Sequence, residues 1–275
     1  MRIKNSLRVR LHPYRGEKDP QNFDTPNGFA VPMNKSQNMR SPRFLIALTT
    51  YNERENLPIL TAQIGEFDPG TDILVVDDSS PDGTADWVEE QRQSDPRFKL
   101  IKRSGKLGLG TAVLAAIEYA VQNDYDYLIN MDADLSHPPR FLPAVRAKAE
   151  EGVDVVIGSR YVPGGKIEGW TWHRRVMSRG INIYARCLLG LKTRDNSGSF
   201  RCYRVALLRQ LDPKSILSRG YSFFEEILFR LQKLGGTFAE VPITFEERQA
   251  GQSKLNGKEI VIALCLLLRI GILRK

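Results

Sequence analysis

The chain has 275 residues, is 41% hydrophobic and 26% charged, and carries a net charge of +8. These are the proportions of a globular protein with one large core, not of a low-complexity chain, and the basic balance suits an anionic partner: nucleic acid, an acidic membrane surface or a phosphorylated substrate. Cys187, Cys202 and Cys265 have no C-x-x-C spacing, so reduced thiols, no structural disulfide, no zinc site and a cytosolic setting are expected.

Residues 1–42 are rich in Arg, Asn, Pro and Gln without a sustained apolar period, which predicts a disordered tail. Met1 to Val9 lacks the apolar stretch of a signal peptide. Phe44 to Thr49 reads as a buried strand. A helix follows with Leu57, Leu60, Ile64 and Phe67 inward. Asp72 to Asp77 is a second strand, Asp78 to Gly83 a turn, and Thr84 a candidate cap for the next helix. Lys99 to Ile101 is a short third strand. Strand and helix in alternation imply parallel pairing with right-handed crossovers.

Lys106-Leu107-Gly108-Leu109-Gly110 opens a helix with Ala112, Val113, Ala116, Ile117 and Ala120 inward. Two readings of the glycines stay open: amides cradling a phosphate, or a tight turn with close helix packing. Leu128 to Asp132 is the next buried strand, and it leads into Asp132-Ala133-Asp134. On an extended chain those carboxylates share one side. Like charges so close need neutralising, and hard cations such as Mg²⁺ or Mn²⁺ take one or two carboxylates while substrate phosphates complete the shell. A metal–diphosphate clamp at the carboxyl end of a strand, where open α/β sheets bind ligands, is the expected chemistry.

Pro138 and Pro139 start a helix with Phe141, Leu142 and Val145 inward, and Val153 to Ser159 is a further strand. After a glycine-rich loop, His173, Arg174, Arg175, Arg179 and Arg186 mark a basic helix suited to a second anion. Arg201 to Tyr203 is a strand; Tyr221 to Leu234 is an amphipathic helix with Phe223, Ile227, Leu228, Leu231 and Leu234 inward, stopped by Gly235; Phe238 to Phe245 is an alternating strand. Glu247 to Lys254 reads as a basic lid. Residues 258–275 form a short apolar helix, too short to span a bilayer, that lies on a membrane, packs on a partner helix or docks on the protein's own body.

Thr50-Tyr51-Asn52-Glu53, Val76-Asp77-Asp78 with Ser80 to Thr84, Leu107 to Thr111, Asp132 to Pro138, Gly158 to Tyr161 and Arg248 to Lys254 occur together and in order. From about Phe44 to Leu268 the chain resembles the dolichyl-phosphate (polyprenyl-phosphate) mannosyltransferases, among the family 2 inverting glycosyltransferases. The resemblance implies a Rossmann-like GT-A domain over residues 43–257, α/β with a mostly parallel central sheet, GDP-mannose as donor, dolichyl or polyprenyl phosphate as acceptor, and Mg²⁺ or Mn²⁺ as cofactor. Carried over by position, Thr49, Tyr51, Glu53, Val76 and Asp78 hold the guanosine half. Asp132, Ala133 and Asp134 hold metal and diphosphate, and Arg160, Arg248 and Lys254 hold phosphates. Arg160, Arg174 and Ser178 are the candidates for the acceptor phosphate. Asp134, Arg160 and Arg174 form the expected catalytic set. Thr49 replaces a frequent Pro, and Ser136 a frequent Gln that neighbours the metal. The resemblance further implies a peripheral enzyme on a cytosol-facing membrane, without nucleic acid, and a small membrane-anchoring subunit accompanies some members of this type. Two rivals remain open at this point: a UDP-sugar transferase acting on undecaprenyl phosphate or a polysaccharide, and a non-catalytic nucleotide or nucleic-acid binder.

Overall fold

A computed structural model describes residues 40–247 and 257–273. The expected tail up to residue 39, the lid over residues 248–254, and with it Arg248 and Lys254, lie outside the described residues. The elements in chain order are β1 (Phe44–Thr50), α1 (Asn56–Phe67), β2 (Asp72–Asp77), α2 (Thr84–Ser94), β3 (Phe98–Lys102), α3 (Leu109–Gln122), β4 (Tyr127–Asp132), α4 (Leu142–Glu150), β5 (Val155–Ser159), β6 (Lys166–Ile167), α5 (Trp172–Leu189), β7 (Arg201–Arg204), α6 (Val205–Leu208), α7 (Phe223–Lys233), β8 (Phe238–Pro242), β9 (Thr244–Phe245) and α8 (Gly257–Leu273).

One seven-stranded sheet runs in the order β3-β2-β1-β4-β7-β5-β8. All neighbours are parallel except β7, which is antiparallel to β4 and β5. The strands are near-continuous apolar runs because both faces are covered. Leu45, Ala47, Leu74, Val76, Leu128 and Tyr203 face the core shared with α3 and α7. Ile46, Leu48, Ile73, Val75, Ile129 and Met131 face the core shared with α1 and α4. This is the expected α/β architecture with a mostly parallel sheet.

Local expectations are corrected in four places. Phe67 and Leu234 are 40% exposed each, since the last turn of a helix overhangs the core it packs on. Thr84 is the first residue of α2, not its cap: Asp82 accepts hydrogen bonds from the Thr84 amide and hydroxyl, and Thr84 Oγ1 accepts one from the Glu53 amide, 3.2 Å away. The strand expected from Phe238 to Phe245 breaks at Ile243, because Pro242 has no amide to continue a ladder; β9 instead pairs with β6. The glycine-rich loop after β5 thus contains a strand that its composition hides.

Helix α8 packs on the protein's own body, one of the placements left open for it. Leu267 and Ile270 are buried in the core beside α5 and α7, the Tyr184 hydroxyl donates to the Leu264 carbonyl at 3.2 Å, and Gly271 sits against Leu188. Val261, Ile262, Leu268 and Ile272 on the other side are exposed. No helix among the described residues is long and apolar enough to cross a membrane.

Candidate active site

The register of the sheet assembles the site. Thr49 stands beside Asp132 across β1 and β4, and Thr50 beside Asp77 across β1 and β2. The carboxyl ends of three parallel strands therefore meet at one edge, as in other open α/β sheets. Because β7 runs antiparallel, the loop before it, Asp195 to Ser199, reaches the same edge. A cleft of about 650 Å³ opens there. Its lining includes Thr49, Tyr51, Glu53, Asp78, Asp132, Ala133, Asp134, Arg160, Arg174 and Ser178. Of the expected residues that are described, Val76 alone stays out: its side chain is fully buried under α3, so a ligand could meet only its main chain.

Asp132 is the last residue of β4, and the chain then bends. The shared side expected of an extended Asp132-Ala133-Asp134 gives way to a turn in which Leu135 takes a φ of 64°. Asp134 is buried and accepts hydrogen bonds from the amide and hydroxyl of Ser136. His137 follows, wedged between Phe200 and Phe245, with ring centroids 5.5 and 5.4 Å away. Its Nδ1 accepts a hydrogen bond from the Asp132 amide at 3.2 Å. Burial lowers its pKa against the pull of Asp132 and Asp134, so the ring is neutral and braces the end of β4. Sequence reasoning missed this role, although His137 stands within the same motif.

The donor set suits a hard cation. Two carboxylates on one turn, open to a cleft and without a sulfur ligand, are what an ion completed by substrate phosphates requires. Among the described residues no cluster of three or more His, Cys, Asp or Glu forms a self-sufficient metal cage.

On the β2 side, burial pushes the Asp78 carboxyl above its usual range, against Arg103, whose Nη1 lies 2.6 Å from Oδ1. The nearby main chain of Leu107 and Gly108 works with Arg103 against that rise. The Gly110 amide donates to the Arg219 carbonyl at 3.0 Å, and a Cβ on Gly110 would fall 2.8 Å from the Phe223 ring. Gly110 is thus required for close packing and its amide is already bonded, which favours the tight-turn reading of these glycines.

On the β5 side, Arg160 is buried and committed to Asp195: Nε donates to Oδ2 and Nη2 to Oδ1, both at 2.7 Å, and Nη2 reaches Ser197 Oγ at 3.0 Å. Arg174 lies 4.0 Å over the Trp170 ring and 3.5 Å from the Glu247 carboxylate. Ser178 Oγ accepts from the Tyr161 hydroxyl at 2.7 Å. The expected acceptor trio thus shares one wall, with Arg160 as its fixed member. Met177, Ile181, Ile262, Leu266 and Leu267 extend that wall as an apolar surface.

Residues 45–212 match the family described as Glycosyl transferase family 2. The chain belongs to that family. It is 41% identical over 230 residues to an undecaprenyl-phosphate mannosyltransferase of Micrococcus luteus, covering 84% of this chain and 94% of that protein. It is likewise 41% identical to a polyprenol monophosphomannose synthase of Mycolicibacterium smegmatis, covering 84% and 87%. Among solved structures, glucosyl-3-phosphoglycerate synthase from Mycobacterium tuberculosis with Mn²⁺, UDP and glucosyl-3-phosphoglycerate superposes with a TM-score of 0.59 at 18% identity, over 85% of this chain and 79% of that one. The mannosyltransferase PcManGT from Pyrobaculum calidifontis, with GDP-Man and Mn²⁺, gives 0.56 at 18% identity over 86% and 65%. At such identities the structures establish the shared fold alone.

Proposed function

We propose that this chain transfers mannose from GDP-mannose to a polyprenyl phosphate with inversion, on the cytosol-facing surface of a membrane. The observation that carries the reading is one cleft with three characters. Acidic and hydroxyl groups at the strand ends of β1, β2 and β4 adjoin the cations Arg160 and Arg174, and these adjoin an apolar wall from α5 and α8. A nucleotide sugar needs the first part, a phosphate the second and a lipid chain the third. Family membership and the named relatives point the same way.

In this reading Tyr51, Glu53 and Asp78 hold the nucleoside, and Asp132 and Asp134 hold Mg²⁺ or Mn²⁺ with the diphosphate. When bound, the metal would offset the charge that builds on departing GDP. The acceptor phosphate is anionic at neutral pH, with a second pKa of about 6, so it needs placing more than deprotonating. Arg160, locked by Asp195, and Arg174, braced on Trp170, supply fixed charge for that placement. Attack from the face opposite the leaving diphosphate inverts the anomeric centre.

The membrane assignment rests on exposed apolar side chains beside arginines. On α5, Trp172, Val176 and Ile183 are 66%, 61% and 58% exposed, interleaved with Arg175 and Arg179. The outer face of α8 adds Val261, Leu268 and Ile272. A mixed basic and apolar surface suits an acidic bilayer. The test is purified protein with GDP-mannose, UDP-glucose and GDP-glucose, each with undecaprenyl and dolichyl phosphate. The expected result is mannosyl transfer at least tenfold faster than any other; a preference for a UDP-sugar would overturn the donor assignment.

A further inference from the structure

Glu225, in the first turn of α7, has no part in the site as described so far. It is 3% exposed, yet it lines the cleft, and its Oε2 has no hydrogen-bond partner in the protein. A buried carboxyl oxygen left unpaired is costly, and native proteins rarely keep one without a use. Its neighbour Glu226 shows the contrast. Equally buried, Glu226 accepts from the amides of Leu217 and Ser218 and pairs with Arg230 at 2.5 Å. Glu226 holds the loop before α7; Glu225 holds nothing comparable.

The position of Glu225 narrows what it meets. Arg201 of β7 donates to the Phe224 carbonyl at 2.7 Å, which pins the start of α7 to β7. Asp78 follows β2. In the sheet order β2-β1-β4-β7, three spacings of about 4.8 Å put these strands about 14 Å apart. Asp132 ends β4, the immediate neighbour of β7. A ligand whose nucleoside lies by Asp78 and whose diphosphate lies by Asp132 therefore brings its transferred sugar toward Glu225. A carboxyl beside two phosphates gains nothing from the phosphates themselves, and the hydrogen-bond donors within reach on such a ligand are the sugar's hydroxyls.

We infer that Glu225 is a specificity-determining residue, whose unpaired oxygen accepts a hydrogen bond from a hydroxyl of the transferred hexose. The inference rests on the nucleotide-sugar reading above and deepens it. Arg201 and Arg160 keep the acid from being electrically isolated in this wall, while burial and Asp195 push its pKa up to about 7.

The test crosses a variant with a substrate series. Wild type and Glu225→Ala are compared with the preferred nucleotide sugar and its 2-, 3-, 4- and 6-deoxy analogues, and GDP binding is measured for each protein by calorimetry. GDP should bind both proteins within twofold. Glu225→Ala should lose about 10- to 100-fold in kcat/KM, as expected for a hydrogen bond to a charged group. One deoxy analogue should cost wild type a similar factor and cost the variant nothing more. Equal sensitivity of both proteins to every analogue would overturn the assignment, and so would parallel weakening of GDP and GDP-mannose. If Glu225→Ala fails to bind GDP, Glu225→Gln decides the matter: a changed penalty at one hydroxyl supports the role, and an unchanged profile overturns it. Failure of wild type to use any nucleotide sugar would instead defeat the enzyme reading itself.

Discussion

Arg160 and Asp195 form a two-point ion pair, 2.7 Å at each contact, in which both side chains are almost wholly removed from water. Asp195 also accepts from the Arg160 amide at 2.9 Å and the Gly198 amide at 3.1 Å. Despite the cost of burial, the Arg160 guanidinium and amide, with Arg201, hold the Asp195 carboxyl below its usual range. Asp195→Ala strands a buried cation and should cost about 3–5 kcal/mol, measured by urea unfolding. Because the folded pKa is depressed, this stabilisation is present above the unfolded value of about 3.9 and disappears as pH falls through the folded value. The variant should therefore lose the part of the acid-unfolding transition that lies below about pH 4. An unchanged acid profile would contradict the pairing.

Glu225 acts in the opposite direction. Burial raises its pKa from an ordinary 4.5 to about 7. The folded state then keeps a proton that the unfolded chain releases, and stability falls as pH rises across that interval. Glu225→Gln should flatten this decline: below about pH 4.5 the two proteins should melt alike, and at pH 8 the Gln variant should melt higher. Identical curves at both pH values would show that the carboxyl ionises normally.

Chelation separates the roles of the two carboxylates at β4. EDTA should abolish transfer, and Mn²⁺ or Mg²⁺ should restore it. Asp132→Asn, at the mouth of the cleft, should lose metal-dependent activity by at least 100-fold with little change in Tm. Asp134→Asn should lose activity and some stability too, since Ser136 is folded onto that carboxylate. Full activity in chelator would remove the metal from the site.

Helix α8 calls for a two-sided experiment. Deleting it would uncover the core around Leu267 and Ile270, so loss of function would report unfolding as readily as detachment. Replacing the exposed Val261, Leu268 and Ile272 by Gln should leave Tm within about 6 °C, since each surface change is usually worth under 0.5 kcal/mol. Vesicle sedimentation with anionic lipid should fall more than tenfold, and transfer to long-chain acceptors with it, while a short soluble acceptor is still used. Leu267→Ala, by contrast, should cost about 2–5 kcal/mol. Undiminished vesicle binding by the Gln variant would place the membrane contact elsewhere.

What could be read from sequence follows the range of the interactions involved. The strands β1, β2, β4 and β5 are buried on both faces, so unbroken runs such as Phe44 to Thr49 betray them. Asp132 and Asp134 announce themselves by spacing. The Arg160–Asp195 pair cannot be read this way, because it joins two loops that only the sheet brings together. The glycines at 108 and 110 are ambiguous in sequence for the same reason: Arg219 and Phe223, whose closeness calls for glycine there, arrive from a distant segment. Glu225 gave no signal at all, since nothing in the helical pattern tells an acid facing a cleft from one facing water.

The reversed strand β7 carries a consequence for how the protein comes to be active. Strands β1 to β4 join through nearby crossovers, so the nucleotide side of the cleft is built from short-range steps. The other side waits for β7 to slot between β4 and β5, closing long loops on each flank, a slow kind of event in folding. Asp195 and the serines after it would take their places only at that moment. A newly made chain would thus acquire the means to hold a nucleotide before it acquires the buried arginine, and pulse-labelled amide exchange during refolding should find β1 and β2 protected ahead of β7.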